Sequence, residues 1–151
     1  MLTVTDGKII DGQIVVRLSP KIEHGALKEV HALVMHQTGG GTAEGAMASY
    51  KTSPYGAHFL IDNDGKIYQT ARVTQKVFHV GKIRSRCQQL GSCSPEDEMA
   101  IKTILSSKVG YSTKVTELND YESKKAYPSR YPTNEDSLGI EVVGQFSEGN
   151  L

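Results

Sequence analysis

Two residues of this chain, a histidine and a glutamate on separate apolar segments, have types and positions that suit chemistry. His36 ends the segment EVHALVMH and is followed by Gln-Thr-Gly-Gly-Gly, so its imidazole lies where a strand gives way to a loop. An imidazole held at a rigid strand end is a candidate metal ligand. The alternative interpretation is a loop histidine that bonds only to the backbone.

The second residue, Glu141, lies in the apolar segment SLGIEVVG near the end of the sequence. A carboxylate among apolar strand residues is unfavourable unless it faces a groove or a partner. Side chains alternate along a strand, so Gly139 and Glu141 share one face, and Gly139 leaves room there for a ligand. Partial burial raises the pKa of a carboxyl group, which suits a general base near neutral pH. A solvent-facing glutamate on a half-exposed strand is the alternative.

Two further histidines are weaker candidates for a functional site. His58 begins the apolar segment AHFLI, where a structural role is the alternative, and His79 lies in FHVG, again at a strand end before a glycine. Taken one at a time, these histidines do not distinguish a binding site from ordinary packing.

The elements that must position these residues are strands interleaved with helices. Asp-Asn-Asp-Gly between two apolar segments predicts a hairpin, and Ser94-Pro95-Glu96-Asp97 predicts a helix start. Such an order indicates an α/β or α+β fold with a sheet covered by helices. The predicted strands are 13–17, 29–36, 57–61, 66–70 and 137–146, and the predicted helices begin after Thr42, run from Ser94 to about Lys108, and cover 115–125.

Composition excludes several classes of protein. The 151 residues carry 17 Lys and Arg against 17 Asp and Glu, which argues against nucleic-acid binding through bulk charge. No apolar run reaches 18 residues, so no transmembrane helix is expected, and the N-terminus lacks the pattern of a signal peptide. Cys87 and Cys93 lie close together, and the sequence leaves open whether they form a disulfide or remain two thiols.

The order of these motifs resembles a known family. The segments VMHQT, GAHFLIDNDGKIYQ, FHVG and NEDSLGIEVVG are similar to those of the zinc-dependent N-acetylmuramoyl-L-alanine amidases, which include T7-type lysozymes and peptidoglycan recognition proteins. The resemblance covers about residues 30–81 and 134–146. We therefore expect one amidase-like domain over 1–151, with 82–133 as an insertion.

The resemblance implies a mixed central β-sheet flanked by helices, with a groove for the glycan and its peptide. It implies that His36 is the first zinc ligand and that Glu141 is the catalytic base of the muropeptide-amidase branch. Ala57, which stands where the T7-type branch has a tyrosine, agrees with that branch. His79 corresponds to a histidine of the groove rather than to a zinc ligand.

Two further residues complete the expected site. Asn134 matches a residue that shapes the loop before the last strand, and we expect it, together with His58 and His79, on the substrate-binding side. The expected cofactor is Zn²⁺. It would activate the water that attacks the bond between N-acetylmuramic acid and L-alanine.

The resemblance also implies where the protein acts and what it meets. Peptidoglycan or muropeptides are the expected partners, and the periplasm or cell wall is the expected site of action. Without a signal pattern, the protein would arrive as a phage lysin or an injected antibacterial toxin, or would work as a recycling amidase. An injected toxin would have an immunity protein as a partner.

One part of the family pattern has no match. The second and third zinc ligands of the family follow the last strand, whereas this chain has no histidine after His79 and ends five residues past Phe146. The first explanation is a fragment that lacks its C-terminal segment and covering helix. The second is a module that binds peptidoglycan without cutting it. The third is a ligand set that includes His79, Asp136, a cysteine or a second chain. An unrelated structural α/β domain is the remaining reading.

Overall fold

A computed structural model of the protein describes residues 3–145, which form two compact units. The first unit comprises the residues up to His79 together with those from Asn134 onward, and the second comprises Val80–Thr133. The second unit nearly coincides with the segment 82–133. Whether that segment is an insertion into the family fold stays a prediction.

The first unit is organised around a five-stranded mixed sheet. Its strand order is β3-β7-β6-β9-β5, in which β5 and β6 run parallel to β9 and β6 runs antiparallel to β7. This confirms the predicted mixed sheet. The strands of this unit are β1 Thr3–Thr5, β2 Lys8–Ile10, β3 Ile14–Val16, β4 Glu23–Ala26, β5 Ala32–Gln37, β6 Phe59–Ile61, β7 Ile67–Gln69, β8 Gln75–Val77 and β9 Ser137–Val142.

One helix, α1 (Ala43–Ser49), packs on the face of this sheet that also carries the candidate site. Thr42 caps it as predicted, because its hydroxyl oxygen accepts from the Gly45 N–H at 3.2 Å. The helix buries its apolar side against the sheet and forms a hydrophobic core with the central strands. This core cluster consists of Ala43, Met47, Leu60, Tyr68 and Val143. On the opposite face of β5, Leu33 and Met35 are 63% and 65% exposed.

The second unit is helical, with α2 (Arg86–Leu90), α3 (Pro95–Ser106) and α4 (Tyr111–Ser123). The predicted helix start at Ser94 is confirmed, since its hydroxyl accepts from the Asp97 N–H. Helix α4 begins four residues before the predicted start. The prediction missed its first turn because that turn is mostly polar and carries no apolar stripe. Cys87 and Cys93 form a disulfide, which resolves the alternative that the sequence left open.

Two small sheets and the end of the last strand differ from the prediction. Strands β1 and β2 form a hairpin, and β4 pairs with β8. Their three or four residues are too short for a pattern of alternation to show. Strand β9 ends at Val142, before Gly144 with its φ of 143°, and Phe146 lies outside the described residues. Over residues 3–145, no helix has both the length and the apolar character needed to cross a membrane.

Candidate functional site

The sheet brings His36 and Glu141 side by side. They are paired in the register of the parallel strands β5 and β9, so both side chains leave the same face of the sheet. Leu60 of β6 occupies the next position in that row and is fully buried. The two residues singled out from the sequence therefore meet at one place, although 105 positions separate them in the chain.

Glu141 is a carboxylate with an unsatisfied oxygen. Its Oε2 atom is buried and has no hydrogen-bond partner among residues 3–145. Burial raises the pKa of Glu141 above its ordinary value, while the charge of a protonated His36 acts in the opposite direction. A buried acceptor without a partner is destabilising by about 1–3 kcal/mol, so a water, an ion or a substrate group that bonds to this oxygen would stabilise the site.

His79 lies next to His36. The Nδ1 atom of His79 is 3.4 Å from the Nε2 atom of His36, and the two rings meet edge to face. Its other nitrogen, Nε2, lies 3.3 Å from both the carbonyl oxygen and the hydroxyl oxygen of Ser137. The backbone N–H of His79 donates to the side-chain oxygen of Asn134 at 2.9 Å, so Asn134 holds the strand end that carries His79.

The ring of His79 lies directly against Gly139. A Cβ atom at that glycine would be 2.5 Å from Cγ of His79 and 2.8 Å from its Nδ1. The sequence suggested that Gly139 leaves room for a ligand, but the structure fills that room with the His79 imidazole. Burial is the largest cause that lowers the pKa of His79 to about 4, so the ring is neutral at pH 7.

His58 lies beneath the site and is fully buried. Its Nε2–H donates to the Gln75 carbonyl at 2.8 Å, and its Nδ1 accepts from the Gly139 N–H at 3.0 Å. Burial lowers the pKa of His58 to about 4, against the hydrogen bond to Gln75, which acts to raise it. These bonds tie β9 to the loop before β6. A direct contact between His58 and substrate stays a prediction, whereas its observed bonds are those of a residue that positions Gly139.

Tyr50 is a residue of this region that the sequence analysis missed. It follows α1 directly, is buried, and packs with Ile22 in a second core cluster. Burial and then the charge of Glu141 raise the pKa of its phenol, so the hydroxyl stays protonated. The signal for its position was present, because Tyr50 lies three residues after Met47 and shares the buried side of α1.

The described residues fit a metal ion only in part. Two nitrogens bound to one tetrahedral zinc ion at 2.0–2.1 Å lie about 3.4 Å apart, which is the spacing of the His36 and His79 nitrogens. Yet no group of three His, Cys, Asp or Glu within residues 3–145 is arranged to hold a metal. Cys87 and Cys93 are joined in a disulfide, so neither supplies the thiolate that we considered from the sequence.

Comparison with known proteins identifies the family. The family model described as N-acetylmuramoyl-L-alanine amidase matches residues 26–150, a span that includes His36, His79 and Glu141. No curated protein and no solved structure gives a significant match. The family match covers most of the chain and agrees with the mixed sheet and with the motifs at its site. This chain therefore belongs to the N-acetylmuramoyl-L-alanine amidase family.

Proposed function

We propose that the protein is a zinc-dependent peptidoglycan amidase that hydrolyses the amide between N-acetylmuramic acid and L-alanine of the stem peptide. The observation that carries this proposal is the buried, unpartnered Oε2 atom of Glu141, which lies beside His36 in the sheet register. In this proposal Glu141 is the general base and His36 is a metal ligand. The family match supports the bond type.

The reaction needs a nucleophilic water and a proton for the leaving nitrogen. Zinc, when bound, lowers the pKa of a water toward 7 and polarises the scissile carbonyl. The carboxylate of Glu141 takes one proton from the attacking water, whose oxygen forms the new bond to the carbonyl carbon. As the C–N bond breaks, Glu141 returns that proton to the nitrogen of L-alanine. A raised pKa makes Glu141 a stronger acceptor for this transfer.

The remaining site residues support this pair. His79, neutral and partly exposed, borders the site and contacts the substrate in this proposal. Asn134 and His58 act through the backbone, because the first holds the His79 amide and the second holds the Gly139 amide. A catalytic zinc ion takes three protein ligands, and this proposal assigns His36 alone, so two ligands remain unassigned among residues 3–145.

The decisive experiment compares two glutamate variants in the same assays. Zinc per chain is measured by elemental mass spectrometry, and cleavage is measured as new amino termini released from purified peptidoglycan. We expect about one zinc per chain, and we expect Glu141→Gln to keep the zinc while losing at least about 100-fold in rate. Glu117→Gln, at an exposed position in the second unit, is the matched control and should behave as the wild type. Full activity in Glu141→Gln would remove Glu141 from the mechanism.

A second candidate function is peptidoglycan binding without cleavage. One observation favours it, namely that no three-ligand metal group occurs within residues 3–145. This candidate predicts that the chain sediments with insoluble peptidoglycan, contains no zinc and releases no amino termini. A chain that neither sediments with peptidoglycan nor cleaves it contradicts both candidates.

We also propose that the protein acts on the cell wall in the periplasm, as an antibacterial effector or lysin. The disulfide between Cys87 and Cys93 supports an oxidising compartment. A toxin of this kind requires an immunity protein in the cell that makes it. Expression of the chain directed to the periplasm of a test bacterium should lyse the cells, and Glu141→Gln should not. A harmless wild-type chain in that compartment would contradict the proposal.

A further inference from the structure

The second unit, Val80–Thr133, contains a cavity that the proposed catalytic site does not use. Its volume is about 570 Å³, and sites for small ligands span about 300–1,000 Å³. The cavity is lined by the segment that leads into α2, by α2 itself, by the end of α3 and by the first two turns of α4. All of these lie within one compact unit, so the cavity belongs to that unit alone.

The lining of this cavity is positively charged. Lys82, Arg84 and Lys114 line it, and none of the lining residues is Asp or Glu. The unit as a whole has nine Lys and Arg against six Asp and Glu, although the complete chain is neutral. A neighbouring cavity of about 550 Å³ has Glu98 and Lys102 in its lining, so its charge is balanced. The excess of positive charge is therefore specific to the first of the two cavities.

The three cations are not neutralised by carboxylates. Lys82 donates to the hydroxyl of Thr116, and Lys114 donates to the Leu105 carbonyl at 2.7 Å, so both partners are uncharged. Across residues 3–145 none of the three cations forms an ion pair.

Lys125, in the same unit, is by contrast neutralised by carboxylates. Lys125 lies 2.6 Å from a carboxylate oxygen of Asp97 and 2.9 Å from one of Glu122. Cations that meet only neutral groups, as in the cavity, keep a positive potential that attracts an anionic ligand.

The cavity also has an apolar part. Leu105 is 41% exposed, and Tyr111, at the first position of α4, is 83% exposed. Val115 and Leu118 add further apolar surface from the same helix. A ligand that fits this lining carries carboxylates for the cations and small apolar groups for the leucine, valine and tyrosine side chains. A short peptide with free carboxylates has this chemistry.

We infer that this cavity binds the carboxylate-bearing stem peptide of peptidoglycan, apart from the catalytic residues. This inference rests on the proposed function, which makes such peptides available to the protein. A cavity of this size encloses only a few residues, which suits a short stem peptide better than the surface of a folded partner. The site would retain the protein on its polymeric substrate between cleavage events.

Nuclear magnetic resonance titration of the ¹⁵N-labelled full chain tests the inference. The probe is a soluble muropeptide with free stem carboxylates, and the control ligand is the same muropeptide with those carboxylates amidated. We expect shifts of backbone amides in 82–89 and 111–118, and binding about 10-fold weaker for the amidated ligand. Arg84→Gln and Lys114→Gln should each weaken binding about 10-fold. Lys108→Gln, an exposed cation outside the cavity, should not.

Three results would overturn the inference, and none depends on amidase activity. The first is the absence of shifts in 82–89 and 111–118, and the second is equal binding of both muropeptides. The third is equal affinity for an unrelated synthetic peptide rich in Asp and Glu, which would assign the cavity to acidic protein segments in general. Release of amino termini by the wild type tests the proposed function separately. A chain that cleaves peptidoglycan but shows no shifts in these segments would contradict the cavity inference and leave the proposed function standing.

Discussion

Replacement of Gly139 by alanine should displace His79 and leave the rest of the sheet in place. The added Cβ would lie 2.5 Å from Cγ and 2.8 Å from Nδ1 of His79, both shorter than any normal contact. The backbone of Gly139 is not in the left-handed region, so alanine adds no backbone strain, and the effect is purely steric. Extra atoms forced into a packed site lower the free energy of unfolding by about 1–3 kcal/mol.

A double-mutant cycle isolates this contact. His79 also approaches the added methyl group with its own Cβ atom, at 2.9 Å, so the background must be His79→Gly, which removes both the ring and that Cβ. In this background Gly139→Ala should change the free energy of unfolding by less than about 0.5 kcal/mol. The coupling between the two sites should therefore be about 1–3 kcal/mol, measured by urea denaturation. Gly12→Ala is the matched control, because nothing lies within 4 Å of a Cβ at that glycine.

The same variant tests the position of His79 in the site. Displacement of the ring breaks its approach to His36 and to Ser137, so Gly139→Ala should reduce amidase activity as much as His79→Ala does. An equal loss of stability from Gly139→Ala in both backgrounds would refute the packing argument. Full activity of Gly139→Ala would show that the observed place of His79 is not needed for the reaction.

Two further predictions concern stability. The pKa of His58 is lowered to about 4, so between pH 4 and pH 6.5 the unfolded chain binds more protons than the folded one. Acidification from pH 7 toward pH 4 should therefore lower the free energy of unfolding by up to about 3 kcal/mol from this residue. The pH dependence of urea midpoints should be flatter in His58→Gln, and an unchanged slope would contradict the argument. The second prediction concerns the disulfide, in which Cys87 and Cys93 close a loop with a sequence separation of 6. Replacing both cysteines by serine should destabilise the second unit by about 2 kcal/mol. An unfolding transition that dithiothreitol leaves unaltered would contradict this value.

The sequence placed His36 and Glu141 each on an apolar strand, and only the family resemblance placed both residues in one site. Their register is set by six consecutive pairs between β5 and β9, and a shift by one residue would put Glu141 on the opposite face. The helix caps at Thr42 and Ser94 were also readable, since a hydroxyl at the N-cap is a local signal. Strands and helix caps of this kind can be predicted because they depend on residues that lie close together in sequence.

The surroundings of that pair could not be foreseen, because they depend on packing between distant segments. His79 reaches Gly139 from a loop 60 residues away in sequence, and no local pattern encodes that approach. The same is true of the His58 side chain, whose two bonds join Gln75 to Gly139. Strands of three residues, such as β1 and β8, have too few positions for alternation to be detected.

The charge balance of the site follows from this packing. Burial keeps His58 and His79 neutral at pH 7, so neither can neutralise the carboxylate of Glu141. That carboxylate has one buried oxygen without a hydrogen bond, and the charge of His36 acts against the rise in its pKa that burial causes. A cation or a proton donor at this position would remove the penalty. A water that donates an O–H to Glu141, as the proposed reaction requires of the attacking water, would satisfy the unpartnered oxygen.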